Sequence, residues 1–174
     1  MSTKPLLQVQ DVRVDFAQGK GQVFQALKGV SLDIHPGETV GLVGESGSGK
    51  STFARCLIRL IDPTEGLIQW AEHEVATLPE GRLRPLRSQV QVVFQDPNRS
   101  LNPRRTVGQS MVEGAMNFGQ SRAEAEALAA ELMTQVRLPV EALQRYPSQF
   151  SGGQRQRLAI ARALACRPKV LVAD

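Results

Sequence analysis

Cysteine, histidine and aromatic residues are all scarce in this chain. Its 174 residues include 2 Cys, 2 His, 6 Phe, 1 Trp and 1 Tyr. Cys56 and Cys166 lie in apolar helical patterns with no other Cys or His at ligand spacing, so we interpret both as small buried side chains in a reducing compartment. His35 precedes a proline and is interpreted as a turn residue. The composition therefore argues against a disulfide framework and a Cys/His metal site.

The chain also lacks long hydrophobic runs. No apolar stretch approaches the roughly 18 residues that cross a bilayer, and the N-terminal residues lack the apolar core of a signal peptide. The net charge is +4 with a pI of about 9.5, but the arginines are dispersed and not interleaved with aromatics, so we expect no nucleic-acid partner. With 41% hydrophobic and 22% charged residues, we expect a cytoplasmic globular domain with a buried core.

A glycine-rich stretch stands between a short apolar run and a helical pattern. Residues 39–52 read TVGLVGESGSGKST, and from Gly44 to Ser51 they match G-x-x-x-x-G-K-[ST], the phosphate-binding P-loop. We predict a buried strand over 40–43 and a helix from Lys50 to Ile61, where Asp62-Pro63 stops it. The backbone N–H groups of the loop and the helix N-terminus would both face phosphate oxygens. An ordinary glycine-rich turn is the alternative, and the strand and helix patterns on either side argue against it.

The P-loop pattern predicts that a continuous run of residues contacts the phosphates. Glycine supplies the backbone angles and the absence of Cβ that a close approach requires. Lys50 would neutralise the β- and γ-phosphates, and the Ser51 hydroxyl would ligate Mg²⁺. The expected nucleotide contacts in this stretch are Gly44, Glu45, Ser46, Gly47, Ser48, Gly49, Lys50, Ser51 and Thr52.

Alternating and continuous apolar runs predict the remaining strands. The first of them reads as an edge-type strand. The fourth reads as a buried strand followed by Gln95, and the fifth reads as an apolar strand ending in Asp174. Residues 71–88 are polar and irregular, with no chemistry assigned to them. The predicted strands outside the P-loop run are Leu6–Phe16, Val30–Ile34, Leu67–Trp70, Val90–Phe94 and Val170–Asp174.

Residues 96–165 read mostly as helix. Ser121 and Glu124 form an S-x-x-E capping box at a helix start. Apolar residues then recur at helical spacing and are interpreted as packing residues, namely Ala127, Leu128, Leu132 and Val136. Farther on, SGGQ precedes a basic amphipathic helix over Arg155–Ala165, and we expect Ser151 to cap it.

Four motifs follow one another along the chain: GESGSGKST, Gln95 after a strand, FSGGQRQR and VLVAD. With these motifs in this order, the chain resembles the nucleotide-binding domain of ABC ATPases from Leu6 to Asp174. LVGESGSGKST, FQDPNRSLNPRRTV and YPSQFSGGQRQRLAIARAL are most similar to ATP-binding subunits of bacterial oligopeptide, dipeptide and nickel importers. The resemblance implies an α/β P-loop NTPase core with an N-terminal antiparallel β-subdomain and a helical subdomain, incomplete at its C-terminal end.

The resemblance also implies how one ATP-binding domain is divided along the chain. Strands of the β-subdomain would occupy 1–38 and the P-loop core 39–95. The helical and signature subdomain would follow over 96–165. The Walker B strand would occupy 166–174.

Several site residues follow from the resemblance alone. Phe16 falls where the family stacks an aromatic ring on adenine, and Phe24 is a competing candidate. Gln95 corresponds to the catalytic Q-loop glutamine and Asp174 to the catalytic Walker B aspartate, so Ser51, Gln95 and Asp174 would surround Mg²⁺. The ABC signature, which would close over the ATP of the opposite subunit, comprises Ser151, Gly152, Gly153 and Gln154.

The family resemblance implies cofactors and partners as well. The cofactors would be ATP and Mg²⁺. The partners would be a second ABC ATPase subunit, in a homo- or heterodimer, and integral-membrane permease subunits. A periplasmic or lipid-anchored solute-binding protein would act indirectly. The chain would lie on the inner face of the cytoplasmic membrane and couple ATP binding and hydrolysis to the uptake of peptides or similar small solutes.

The sequence departs from the family pattern after Asp174, its last residue. The catalytic glutamate and the switch histidine of the family are not among the 174 residues, and His73 lies too far upstream to serve. We therefore expect this chain to bind ATP but hydrolyse it poorly. Two alternatives stay open. One is a truncated, non-hydrolysing nucleotide-binding module, and the other is a fragment of a soluble ABC ATPase that does not act in transport.

Overall fold

The computed structural model describes residues 4–19, 21–96 and 100–174. They divide into two compact units, one ending at Arg87 and the other beginning at Ser88. Both units contain strands and helices, and the α/β fold with an antiparallel β-subdomain and a helical subdomain is confirmed. Among the described residues, the longest helix has 14 residues, and none is long and apolar enough to cross a membrane.

The first unit is built on a four-stranded antiparallel sheet. Its strands are β1 (Leu7–Ala17), β2 (Val23–Ile34), β3 (Glu65–Trp70) and β4 (His73–Glu74), in the order β2-β1-β3-β4. Leu7 lies opposite Ile34 on one side and opposite Trp70 on the other. The prediction of an edge strand was therefore wrong. Alternation shows that one face of β1 is buried, but it carries no information about whether both edges are paired.

The apolar run ahead of the P-loop is not the buried strand that its composition predicts. Among the residues that the structure describes, no strand pairing includes 39–45, and the side chain of Val43 is 97% exposed. A strand needs a hydrogen-bonded neighbour. The strands β1–β4 pair with one another, and β5 (Val90–Val93) pairs with β6 (Val170–Ala173), so neither sheet provides a neighbour for this run.

Helix α1 (Lys50–Leu57) begins at the predicted residue but ends before Ile61. The backbone turns at Arg59, whose φ is 54°. The N–H of Arg59 donates to the carbonyl of Cys56 at 3.0 Å, and the N–H of Leu60 donates to the carbonyl of Arg55 at 2.9 Å. This pair of bonds is a Schellman motif, which closes the helix before Pro63 is reached.

Residues 71–88, predicted to be irregular, contain short regular elements. After β4 come α2 (Glu80–Leu83) and a 3₁₀ helix, Arg84–Gln89. Val75 and Leu83 are buried in this segment. The sequence did not predict these elements because each is too short for its apolar residues to show a helical or strand period.

The second unit pairs β5 with β6 in parallel and carries three longer helices. These are α3 (Val107–Asn117), α4 (Arg122–Gln135) and α5 (Gly152–Leu164), with 3₁₀ helices at Val140–Gln144 and Pro147–Gln149. Helix α5 begins three residues before the predicted start, since its cap is Ser151. The helices enclose a core that includes Leu101, Val107, Met111, Leu132, Met133, Phe150 and Leu158.

Two predictions about individual side chains are partly corrected. In α4, Leu128, Leu132 and Val136 pack on the core as expected, whereas Ala127 is exposed. Cys56 is fully buried, whereas Cys166 is only half-buried. Burial raises the pKa of the Cys56 thiol to about 11, so this side chain stays protonated at neutral pH.

Candidate functional site

The P-loop wraps around the ammonium group of Lys50. Its Nζ donates to the carbonyl oxygens of Gly44 at 2.8 Å and Glu45 at 2.5 Å, and to Ser48 Oγ at 3.2 Å. The N–H of Ser48 in turn donates to the carbonyl of Glu45 at 3.2 Å. These bonds hold a positive charge inside the loop where an anion is expected to bind.

Two glycines of the loop lie close to other atoms of the chain, and the backbone conformation of one of them also favours glycine. Gly49, the residue before α1, has a φ of 91°, and a Cβ there would lie 2.9 Å from the carbonyl oxygen of Ala26. At Gly44 a Cβ would lie 2.8 Å from Ser48 Oγ. The prediction that the loop needs glycine therefore has a concrete basis at Gly49, whereas at Gly44 the Ser48 hydroxyl can rotate away.

The N-terminus of α1 completes an environment suited to phosphate. The first turn contains Lys50, Ser51 and Thr52 and no acidic residue. The N–H groups at a helix start and the helix dipole both favour an anion. The residues from Gly44 to Ser48 and Ser51 are exposed, so a ligand can reach them. The residues present fit a polyphosphate.

The two aromatic candidates for adenine lie side by side. Phe16 on β1 is directly opposite Phe24 on β2, and the side chains are 40% and 50% exposed. Residues directly opposite in an antiparallel pair share a face of the sheet. The arrangement offers one aromatic surface made by both rings, and it does not favour Phe16 over Phe24.

In the second unit, Gln95 and Asp174 follow the carboxyl ends of adjacent parallel strands. Val93 pairs with Ala173, and the N–H of Asp174 donates to the carbonyl of Val93 at 3.0 Å. Ligands of open α/β sheets bind at this edge. The third predicted Mg²⁺ ligand, Ser51, belongs to the first unit. Within the described ranges, no three His, Cys, Asp or Glu side chains cluster as a metal site. Residues 97–99 of the FQDPNRS motif lie outside those ranges.

The signature residues form the start of α5. Ser151 Oγ accepts from the N–H of Gln154 at 3.3 Å, and Gln154 Oε1 accepts from the N–H of Ser151 at 2.9 Å. The expected cap is thus a reciprocal capping box. Gly152 and Gly153 are exposed, and a Cβ on either would meet nothing within 4 Å. Packing within the described residues does not require glycine at these two positions.

Sequence reasoning missed a group of side chains at the opposite end of α1. Arg59, just beyond the helix, bonds the carbonyl of Val75, and Arg87 bonds the carbonyl of Ile58. Trp70 Nε1 donates to the carbonyl of Leu57 at 2.9 Å. Arg87 also pairs with Glu80, and this hydrogen bond lowers the pKa of the Glu80 carboxyl. The one available signal was an arginine just beyond a helix end, where glycine is usual.

A groove between α3 and α4 was also missed. It has a volume of about 440 Å³, and its apolar lining includes Val112, Ala129 and Leu143. Arg122 bonds Glu126 at 2.7 Å on its rim. Surface grooves formed by two packed helices leave no signature in the sequence, because the period of each helix predicts only its buried face.

Comparison with known proteins places the motifs in a family. The sequence profile described as ABC transporter matches residues 27–174. The glutathione import ATP-binding protein GsiA of Salmonella typhimurium is 46% identical over 178 residues, which cover 98% of this chain and 29% of GsiA. The probable peptide ABC transporter ATP-binding protein y4tS of Sinorhizobium fredii is 50% identical, and the match covers 87% of this chain and 43% of y4tS.

Solved structures show the same fold. A dimeric ATP-binding cassette, MJ0796, in a post-hydrolysis state bound to ADP and Pi, superposes with a TM-score of 0.87 at 33% identity, covering 97% of this chain and 73% of that one. The cassette cbiO1 from Clostridium perfringens superposes with a TM-score of 0.80 at 28% identity, covering 98% and 65%. The chain spans less than half the length of GsiA and y4tS.

Proposed function

Since the chain belongs to the ABC transporter family, we propose that it is the ATP-binding part of an importer, in which ATP binding and hydrolysis drive solute uptake. The observation that carries this proposal is the P-loop, where Lys50 Nζ lies 2.8 Å from the carbonyl of Gly44 at the N-terminus of α1. On nucleotide binding, Lys50 exchanges these carbonyls for phosphate oxygens, and the N–H groups of the loop cradle the phosphates.

Mg²⁺ and adenine have their own candidate residues. Ser51 binds the ion directly, Asp174 binds it through water, and Gln95 reaches the ion or the attacking water. The pairing of β5 with β6, which brings Asp174 beside the end of β5, supports the roles of Gln95 and Asp174. Adenine stacks on Phe16, and the exposed ring of Phe24 beside it supports a shared aromatic surface.

Turnover requires a second ATP-binding subunit. The start of α5 offers free N–H groups, and the open space around Gly152 and Gly153 supports the approach of a nucleotide held by the opposite subunit. The partner is a second copy or a related subunit.

The groove between α3 and α4 is where a membrane-spanning permease docks in this proposal. Its apolar lining suits the apolar face of a short helix. The ion pair Arg122–Glu126, at 2.7 Å, lies among the residues that line the groove and would orient a docked helix by its charges. Docking there holds the chain on the inner face of the cytoplasmic membrane. The imported solute is a peptide or a peptide-like compound such as glutathione, as the names of similar proteins suggest.

The first experiment measures the dissociation constant of Mg·ATP for the wild-type chain, Lys50→Ala and Lys28→Ala. Lys28 is an exposed lysine on β2 and serves as a charge-matched control. Removing Lys50 is expected to weaken binding by about tenfold or more, because one charge-assisted contact to phosphate contributes about 1.5–3 kcal/mol. Equal affinity in all three proteins would refute nucleotide binding at the P-loop.

The second experiment tests the groove in cells that import a labelled dipeptide or glutathione. Ala130 lines the groove, and Ala127 is exposed elsewhere on α4, so Ala130→Arg and Ala127→Arg form a matched pair. Ala130→Arg is expected to abolish uptake and co-purification with permease subunits while leaving the affinity for Mg·ATP unchanged. Uptake at the wild-type rate in Ala130→Arg would show that the permease docks elsewhere. Normal ATP binding without any association with membrane subunits would favour a soluble ATPase.

A further inference from the structure

An arginine in the left-handed region follows each of α1, α4 and α5, namely Arg59, Arg137 and Arg167. The Schellman motif places Arg59 in the left-handed region, with a φ of 54°, where glycine is the favoured residue. A non-glycine residue in this conformation costs about 1 kcal/mol. The side chain is the only part of Arg59 that glycine would lack, so its contacts show what arginine contributes at this position.

The side chain of Arg59 is almost fully buried and bonded at each nitrogen. Only 7% of it is exposed. Nε donates to the carbonyl of Val75 at 2.7 Å, Nη2 donates to the carbonyl of Leu78 at 3.0 Å, and Nη1 pairs with Asp62. Arg59 thus joins the end of α1 to the segment that follows β4.

Arg87 makes a complementary set of contacts from the other direction. Its Nη1 donates to the carbonyl of Ile58 at 3.0 Å and its Nη2 to the carbonyl of Arg59 at 3.2 Å. Nε and Nη2 also form a two-pronged pair with the carboxylate of Glu80, at 3.1 Å and 2.8 Å. A planar guanidinium with five donors can satisfy this set of acceptors, whereas an ammonium group cannot reproduce its geometry.

Three successive carbonyls at the end of α1 are therefore held by side chains from distant segments. Trp70 bonds Leu57, and Arg87 bonds Ile58 and Arg59. Cationic donors at this end also complement the helix dipole. At the other end of α1, residues 39–45 pair with no strand among the described residues, and Lys50 bonds the carbonyls of Gly44 and Glu45.

We propose that Arg59 and Arg87, together called the arginine clamp, are positioning residues that set the place of Lys50 and Ser51 by fixing the far end of α1. The proposal rests on the proposed function of the P-loop. An eight-residue helix is about 12 Å long and stiff, so a shift or tilt at its C-terminal end is transmitted to its first turn. The clamp touches no nucleotide contact directly. Its effect on phosphate binding passes through the helix.

The test uses the full chain and three variants. Arg87→Gln removes the charge and the two-pronged pair, and Arg59→Gly removes the side chain while supplying the residue that the backbone favours. Arg82→Gln is the control, since Arg82 is an exposed arginine on α2. The dissociation constants of Mg·ATP and of adenosine are measured at a temperature where every variant is folded, and the midpoint of thermal unfolding is measured beside them.

Both clamp variants are expected to bind Mg·ATP about tenfold more weakly, because small displacements of positioned groups have effects of this size or larger. The affinity for adenosine is expected to be unchanged, since Phe16 and Phe24 lie on other elements. Arg87→Lys is expected to fall between wild type and Arg87→Gln. Amide hydrogen exchange at Lys50–Phe53 is expected to accelerate in the clamp variants but not in Arg82→Gln.

A lower unfolding midpoint with unchanged Mg·ATP affinity in Arg87→Gln and Arg59→Gly would overturn the proposal, because the clamp would then serve stability alone. Should Arg87→Gln fail to fold, Arg59→Gly and Arg87→Lys decide the question by the same criterion. Failure of the proposed function is a separate outcome. In that case the wild-type chain itself binds no Mg·ATP, or Lys50→Ala binds it as well as wild type does.

Discussion

The backbone N–H of Asp174 donates to the carbonyl oxygen of Val93 at 3.0 Å. This bond continues the parallel ladder of β5 and β6 by one step and places Asp174 at the edge where Gln95 follows β5. Asp174 and Gln95, which are far apart in the chain, thereby follow the ends of two adjacent strands. Both are candidate ligands of Mg²⁺ or of the attacking water, and two directly paired strands hold such groups rigidly.

The first prediction concerns the coupling of these two residues. If both residues serve the proposed Mg²⁺ site, Asp174→Asn and Gln95→Ala are each expected to raise the Mg²⁺ concentration needed for tight ATP binding, because the first removes a carboxylate charge and the second removes an amide oxygen. The double variant is expected to lose less than the sum of the two losses, since both residues serve one ion. Mg²⁺ titrations of ATP binding measure this. Strictly additive losses would show that the two side chains act at separate places.

The second prediction compares two similar helix caps. Ser151 caps α5 and Ser121 caps α4, each through a reciprocal capping box. Ser121→Ala and Ser151→Ala are each expected to lower the free energy of unfolding by about 1 kcal/mol. Only Ser151→Ala is expected to impair ATP-dependent dimerisation, because only this cap belongs to the signature. Denaturant unfolding and sedimentation of the ATP-bound protein measure the two effects. A dimerisation defect in both variants would contradict the prediction.

The third prediction separates two glycines that differ in their surroundings. Gly49→Ala is expected to destabilise the chain by about 1–3 kcal/mol, because its φ of 91° and the nearby carbonyl of Ala26 leave no room for a Cβ. Gly153→Ala is expected to raise stability by about 0.5 kcal/mol, because Cβ meets open space in a helix. The same Gly153→Ala variant is expected to weaken ATP-dependent dimerisation. Unfolding and dimerisation measured side by side decide this, and normal dimerisation in Gly153→Ala would argue against a role for the open space.

The fourth prediction concerns acid stability. The hydrogen bond from Arg87 lowers the pKa of Glu80 below its ordinary value of 4.5. A carboxyl with a depressed folded-state pKa stabilises the fold above its unfolded-state pKa, and the stabilisation is lost as the pH falls through the folded-state value. Glu80→Gln is therefore expected to unfold at a lower temperature than wild type at pH 7, with the difference shrinking below pH ~4.5.

Glu74→Gln, at an exposed glutamate on β4, is the control for that comparison. Thermal unfolding of the three proteins from pH 7 to pH 3 measures the effect. A Glu80→Gln deficit that persists unchanged into strong acid would show that the carboxylate charge is not what stabilises the end of α1.

Much of the candidate site was predictable because its motifs are local. The P-loop pattern correctly predicted the start of α1 at Lys50, and S-x-x-E correctly predicted the cap at Ser121. The expected cap at Ser151 is also present. In each case the residues that bond are within a few positions of one another, so their spacing in the chain is nearly their spacing in space.

Other features were beyond the sequence. The central position of β1, the unpaired run before the P-loop, and the pairing of Val93 with Ala173 each depend on partners from distant segments. The same is true of Arg59, whose side chain bonds the carbonyls of Val75 and Leu78. No short-range pattern encodes such contacts.

By itself, the sequence determined the chemistry of the loop, the caps of the helices and the family to which the chain belongs. These depend on residue type at fixed short spacing, where backbone geometry leaves few choices. The tertiary structure alone decided which strands become neighbours and which arginines bond the end of α1. The reason is physical: a hydrogen bond between distant segments depends on how the whole sheet and its helices pack, and packing is a property of the folded chain rather than of any stretch within it.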